Sequence, residues 1–390
     1  MNKVKDMAEI QNLSDISSRT DSPNVCCPQS RVSQVSLPSP DQTFVTGSVQ
    51  SLVGNLPQVA SNLSWRDRLG AFKARWGFGR MHYTVDPGLY ALGKPNEMSP
   101  VLVTANYKLS FDCLRKAVPG LDLWILVLDT KGINVWCAAG KGTFGTMEIV
   151  QRIKSTRLDH LVSHREIIVP QLSGPGVAPH LVKKLSGFKV IYGPIRAEDL
   201  PAFLASGMNA TSEMRLKTFT LRERAVLIPV ELVEALKVAL IVIPLLMALS
   251  GFLGPSHFWS NISKHGPLVL EAIMTAIMAG AVLTPLLLPM LPGRAFSAKG
   301  LLPALMGALL LLLLRWGELG TWSLRLEVIA WFLLITGAAT YLSMNFTGAS
   351  TYTSLSGVKK EMRLALPLQI GACTAGLLLW VSSVSFLSGA

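Results

Sequence analysis

Cysteine is scarce in this chain: five in 390 residues, at Cys26, Cys27, Cys113, Cys137 and Cys373. Their spacing is too irregular for a disulfide framework, and no Cys-x2-Cys pair is present to hold zinc or an iron–sulfur cluster. A reducing compartment is implied. Charge is scarce as well, with 15% charged residues against 50% hydrophobic, which is apolar for a water-soluble protein. The net charge of +12 is not laid out as a basic stripe interleaved with aromatics, and no groove-reading motif accompanies it, so nucleic acid is not the expected partner. Residues 1–10 are charged and lack an apolar core segment, which argues against a secretory signal.

What is present changes along the chain. Residues 1–60 are rich in Ser, Gln, Pro and Asn without a sustained apolar period, and read as a disordered polar tail that cannot bury enough surface to offset its ordering entropy. Within it Cys26 and Cys27 are adjacent. A vicinal thiol pair can capture a soft metal ion such as Hg(II), and could relay it to Cys137; an incidental pair in a tail is the plainer reading.

Residues 61–225 alternate short β-rich runs with helical ones, the pattern of a Rossmann-like α/β domain with a parallel sheet covered by helices. Strands are expected at 101–105, 123–128, 167–169, 189–192 and 226–228, and helices at 110–117, 146–154, 180–185 and 198–206. Ligands of such sheets bind beyond the carboxyl ends of the strands. The segments leaving those ends are residues 106–107, 129–141, 170–176 and 193–196.

Residues 226–390 read as an all-α membrane domain of five transmembrane helices, at about 236–254, 267–290, 298–316, 326–346 and 366–387. Each is near the roughly 20 residues that cross about 30 Å of hydrocarbon. The third is the weakest, although Lys299 and Arg315 can snorkel from its ends. Basic residues flank the side that includes Arg222, Arg224, Lys237, Arg294, Lys299, Lys359, Lys360 and Arg363. By the positive-inside rule the α/β domain lies in the cytoplasm, at the inner membrane, with the C-terminus outside. Ionisable residues within the spans are few, so anchoring is the plainer role and transport the alternative.

One segment stands out: Asn134, Val135, Trp136, Cys137, Ala138, Ala139, Gly140 and Lys141. Cys137 falls where a strand gives way to a helix and is followed by three of the smallest residues, so its thiol sits at the mouth of an uncluttered surface. The positive end of a helix and Lys141 four residues on both favour the thiolate, the form that binds metals. A structural cysteine at a tight junction and a Cys–His nucleophile with His160, His164 or His180 are the alternatives, and the residues alone do not choose among them.

Residues 134–141 resemble the cap-helix motif of the corrinoid protein of microbial mercury methylation, the HgcA family. The likeness extends through residues 80–90, 99–108, 169–172, 174–177 and 192–203, and five spans after a soluble domain match its plan, so it covers roughly residues 65–390. The long polar N-terminal segment is a departure. The resemblance implies an α/β domain similar to the corrinoid domain of the corrinoid iron–sulfur protein, binding a cobalamin-type cofactor with Cys137 as the lower axial cobalt ligand. It implies further that Asn134 and Trp136 hold the helix in register and that Ala138, Ala139 and Gly140 form a flat seat. Val135 belongs to the same motif, and Lys141 is expected at the cofactor's polar edge. The implied activity is methyl transfer to inorganic Hg(II), forming methylmercury. A ferredoxin-like partner with two 4Fe–4S clusters would return electrons, and a methyltransferase with a folate-type donor would recharge the cobalt. The competing expectation is a membrane-anchored corrinoid carrier, sensor or transporter.

Overall fold

The computed structural model describes residues 37–316, 322–346 and 355–385. Cys26 and Cys27 lie outside the described residues. Seven strands form one mixed sheet in the order β1-β2-β3-β5-β4-β6-β7. They are β1 (Val45–Ser51), β2 (Gly54–Val59), β3 (Gly88–Leu92), β4 (Val101–Ala105), β5 (Leu123–Leu128), β6 (Glu166–Val169) and β7 (Lys189–Tyr192).

The runs in β4 and β5, VLVTA and LWILVL, are apolar at nearly every position and buried throughout. That is what a strand covered on both faces requires. Val101, Val103, Trp124, Leu126 and Leu128 point into one core with Phe144, Ile149 and Val182. Leu102, Leu123, Ile125 and Val127 point into the other with Phe111, Leu114 and Phe203. The covering helices are α1 (Trp65–Arg75), α2 (Lys108–Ala117), α3 (Val135–Lys141), α4 (Thr146–Ser155), α5 (Pro179–Ser186) and α6 (Leu200–Ala205).

Three features differ from the sequence reading. Residues 45–59, assigned to the polar tail, form the hairpin β1–β2, because Leu56 and Val59 supply buried side chains that seat it on the sheet edge. The sheet is mixed: β3 runs antiparallel to β5 over five residue pairs and β2 runs parallel to β3, while β5, β4, β6 and β7 form the parallel part. Residues 226–228 are not a strand. A capping box of Thr220 and Glu223 starts a short helix, and Pro229 opens the long helix Ile228–Leu253 at a position where its missing N–H costs nothing.

Among the described residues, five helical stretches are long and apolar enough to cross a membrane: Leu221–Leu253, Phe258–Leu287, Phe296–Leu314, Leu324–Asn345 and Gly357–Ser385. Three begin well ahead of the expected spans, because amphipathic or charged first turns precede the purely apolar runs. The second includes a π segment at Met278–Leu283. Lys299 does not snorkel. It is buried and donates to the main-chain oxygens of Leu288 and Leu291 at 2.8 and 2.6 Å.

The helical region also holds a polar cluster that hydropathy passes over. His265 Nδ1 lies 3.1 Å from both Glu327 oxygens, and Trp380 Nε1 donates to Glu327 Oε1 at 3.2 Å. All three side chains are buried. They come from three different helices, so no local window brings them together.

Candidate functional site

The chain leaves β4 toward β5 on one side and, after β5, passes over to β6 on the other. Ligands of α/β sheets bind outside the carboxyl ends of the strands at such a reversal. Here β4 and β6 share a single recorded register pair, Leu102 with Ile168, whereas β4 and β5 share five. A cavity of about 740 Å³ opens at this switch point.

Cys137 reaches that cavity through a loop built by Asn106. The Asn106 Oδ1 accepts from the N–H of Thr130 at 3.1 Å and of Gly132 at 3.0 Å, and Thr130 Oγ1 lies 2.8 Å away. Gly132 is left-handed at φ 70°, and a Cβ there would stand 3.0 Å from the carbonyl oxygen of Met81 and 2.9 Å from Thr84 Cγ2, so both conformation and space disfavour a side chain. The loop delivers Asn134 as the N-cap of α3. Its Oδ1 accepts from the Cys137 N–H at 2.9 Å. The amide of Cys137 is therefore satisfied by the helix cap.

Of the eight motif residues, Asn134, Val135, Trp136 and Cys137 line the cavity, and Cys137 carries a free, partly exposed thiol. Ala138 and Ala139 do not form an exposed seat. Both are buried in the core beneath, packed with Phe144 and Val177. Their small size lets the helix lie close on the sheet and on residue Gly176, where a Cβ would overlap the Phe144 carbonyl and stand 3.0 Å from the Ala139 Cα. Gly140 and Lys141 are exposed and do not line this cavity.

The remaining walls come from segments far apart in the chain. Leu102, Val103, Thr104, Pro170, Leu172 and residues 193–197 line the carboxyl ends of the strands, with Arg80 beside them. Cys113 opens onto the same space, and the surrounding protein disfavours its thiolate and pushes its pKa up. Leu227, Val230, Glu231 and Asn345 close the far side. Sequence reasoning missed those four, which sit at the ends of apolar helices and carry no motif. His160, His164 and His180 are not in the cavity lining, which removes the geometric basis for a Cys137–His pair.

Residues 78–204 match the family model of the CO dehydrogenase/acetyl-CoA synthase delta subunit, CdhD. Three relatives show the same likeness. The acetyl-CoA decarbonylase/synthase complex subunit gamma of Methanopyrus kandleri is 34% identical over 122 residues, covering 31% of this chain and 26% of that protein. Its counterpart in Methanocaldococcus jannaschii is 35% identical over 96 residues, 24% of this chain and 20% of that protein. The corrinoid/iron-sulfur protein large subunit of Moorella thermoacetica is 29% identical over 148 residues, 37% of this chain and 31% of that protein. The chain thus spans between a fifth and a third of the length of these relatives. Within the α/β region the stretch 78–204 is similar to the CdhD family, and it holds β3 to β7 and the whole Cys137 segment.

A corrinoid fits what this cavity offers. Among the described residues no group of three or more His, Cys, Asp or Glu converges to hold a bare metal ion. Cys137 offers one soft ligand, which suits a metal whose other positions a macrocycle already fills. The walls are mainly apolar, with Arg80, Arg196 and Lys217 as the cations on the rim and Glu223 and Glu231 as the acids.

Proposed function

We propose that this chain is a membrane-anchored, corrinoid-dependent methyltransferase whose acceptor is inorganic Hg(II). The observation that carries the reading is Cys137, held by the Asn134 cap at the mouth of the switch-point cavity inside a CdhD-like domain. A bound methylcorrinoid supplies a cobalt–carbon bond whose methyl group can pass to an acceptor.

The chain's own residues set the direction of that transfer. Hg(II) is an electrophile, so the methyl group must leave with its bonding electrons. Cys137 would hold the metal of the corrinoid, and its thiolate would supply electron density that favours that outcome, as a Cys ligand does for a different bond in haem proteins. Asn134 fixes the first turn of α3, and Ala138, Ala139 and Gly176 hold that helix close on the sheet, so the sulfur is presented from a rigid base. The apolar walls restrict water around the site.

No Cys-x2-Cys motif is present to bind a cluster, so the reading requires a ferredoxin-like partner with two 4Fe–4S clusters for electrons and a folate-type methyltransferase for new methyl groups. The five apolar helices would hold the protein in the inner membrane with the α/β domain cytoplasmic and the C-terminus outside. The full-length protein with methylcobalamin should show a thiolate-ligated corrinoid spectrum and form methylmercury anaerobically from Hg(II) and a reductant. Cys137→Ala should lose both, and an unchanged spectrum in that variant would refute the assignment.

A second reading, a corrinoid or metal carrier, is favoured by the buried His265–Glu327–Trp380 cluster, since ionisable groups inside apolar helices commonly mark a pathway. It predicts uptake of corrinoid or mercury into vesicles that Glu327→Gln abolishes.

A further inference from the structure

Helix α1 turns its chemistry inside out. Its only acidic residue, Asp67, faces inward, where it meets Lys108 Nζ at 2.6 Å and Arg115 at 2.8 Å. Gly70 and Ala74 share that inward face, and Gly70 leaves room for Tyr83, whose hydroxyl would stand 2.6 Å from a Cβ there. The outward face is apolar. Trp65, Leu69, Phe72 and Trp76 follow one another at steps of four, three and four residues, which places them in one stripe. Trp65 is 70% exposed and Phe72 57%, and the rings of Phe72 and Trp76 lie 5.7 Å apart. Phe78 and Met81 continue the exposed apolar surface past the helix end.

Cations border the stripe on both sides. At 100° per residue Arg66 and Lys73 fall along one edge, Arg68 and Arg75 along the other, and all four are exposed. An aromatic stripe between two rows of Arg and Lys is the composition of a helix lying in the plane of an anionic lipid surface.

A second, independent observation puts this helix at the right height. Gly77 abuts the first long helix, with a Cβ position 3.8 Å from Glu234 Oε1 and 3.9 Å from Val233 Cγ1. Lys237 pairs with Glu234 at 2.7 Å and is the last charged residue before the uncharged, mainly apolar run 238–253. From Val233 to Lys237 is four residues, about 6 Å along a helix. The stripe therefore borders the level at which that helix changes from charged to apolar.

We propose that α1, with Phe78 and Met81, is an interfacial helix that lays the α/β domain on an anionic bilayer surface, beside the point where the first long helix enters. The proposal rests on the membrane reading of the five helices and is independent of the corrinoid chemistry. Its consequence is positional: Arg80, between Phe78 and Met81, and Glu231, on the long helix, both line the Cys137 cavity, so docking α1 fixes that cavity at the membrane surface.

The test places the photo-crosslinker p-benzoylphenylalanine at Phe72, at Ile241 on the exposed face of the first long helix, or at Leu52, an exposed apolar side chain of the β1–β2 turn. Each full-length protein is illuminated in nanodiscs of phosphatidylglycerol with phosphatidylcholine, or of phosphatidylcholine alone, and adducts are read by mass spectrometry. Phe72 should give a lipid adduct, several-fold stronger with phosphatidylglycerol, Ile241 a lipid adduct in both, and Leu52 little in either. A lipid adduct at Ile241 with only a protein cross-link, or none, at Phe72 overturns the proposal alone; equal yields at Phe72 in the two lipid mixtures, or equal yields at Leu52 and Phe72, overturn it too. No lipid adduct at Ile241 overturns the membrane reading and the proposal with it.

Discussion

Asn134 and Gly176 decide how Cys137 is presented, although neither carries reactive chemistry. The Asn134 Oδ1 bond to the Cys137 N–H satisfies a donor that a seven-residue helix has few other means to satisfy. Asn134→Ala should cost about 1 kcal/mol of stability and weaken corrinoid retention, measured by thermal unfolding and by the bound spectrum. Gly176 faces backbone atoms on both sides, which cannot yield as a side chain does. Gly176→Ala should cost about 2 kcal/mol and displace α3. Gly174→Ala, where a Cβ would meet only the Gln171 carbonyl at 3.4 Å, is the matched control and should keep the wild-type Tm. The motif was legible as a thiol beside small residues. That Ala138 and Ala139 are small because they point inward was not, since the same two residues suit an open face or a tight helix–sheet contact.

At the scale of elements, α1 and α2 are joined by a buried network of Asp67, Lys108, Asp112 and Arg115. Burial alone would raise the Asp67 pKa, but hydrogen bonds from Lys108, Ser64 and Arg115 outweigh it and hold the carboxyl well below the usual carboxylate range. A group depressed in the folded state contributes stability that is complete above its unfolded pKa of about 3.9 and is lost as pH falls below it. The α/β region should therefore lose stability on acidification below about pH 4. Asp67→Asn should lose about 3 kcal/mol at neutral pH and show a weaker acid dependence, read by circular dichroism across a pH series. The strands β4 to β7 were legible because each holds a continuous apolar run. The β1–β2 hairpin was not, because an edge strand buries so few side chains that its composition matches a polar tail. β3 was read only as part of a motif, and its antiparallel direction depends on a distant partner, Leu89 pairing with Leu126, 37 residues on.

For the whole molecule, the α/β region and the five long helices have separate cores and share the cavity wall. Glu327→Gln should lower the Tm of the helical region in detergent by weakening the His265 and Trp380 contacts, a loss of about 3 kcal/mol, while leaving the Cys137 corrinoid spectrum unchanged. A spectrum altered by that change would mean the two regions are coupled. The class of the α/β domain, the existence of five apolar helices and the singling out of Cys137 follow from the sequence alone, because hydrophobic period, run length and side-chain chemistry are local properties. The cavity at the β4–β6 junction, the inward Ala pair, the far wall of Leu227, Val230, Glu231 and Asn345, and the meeting of His265, Glu327 and Trp380 were decided only by tertiary structure. Each depends on which distant segments pack together, and that is set by the closing of the sheet and bundle as wholes.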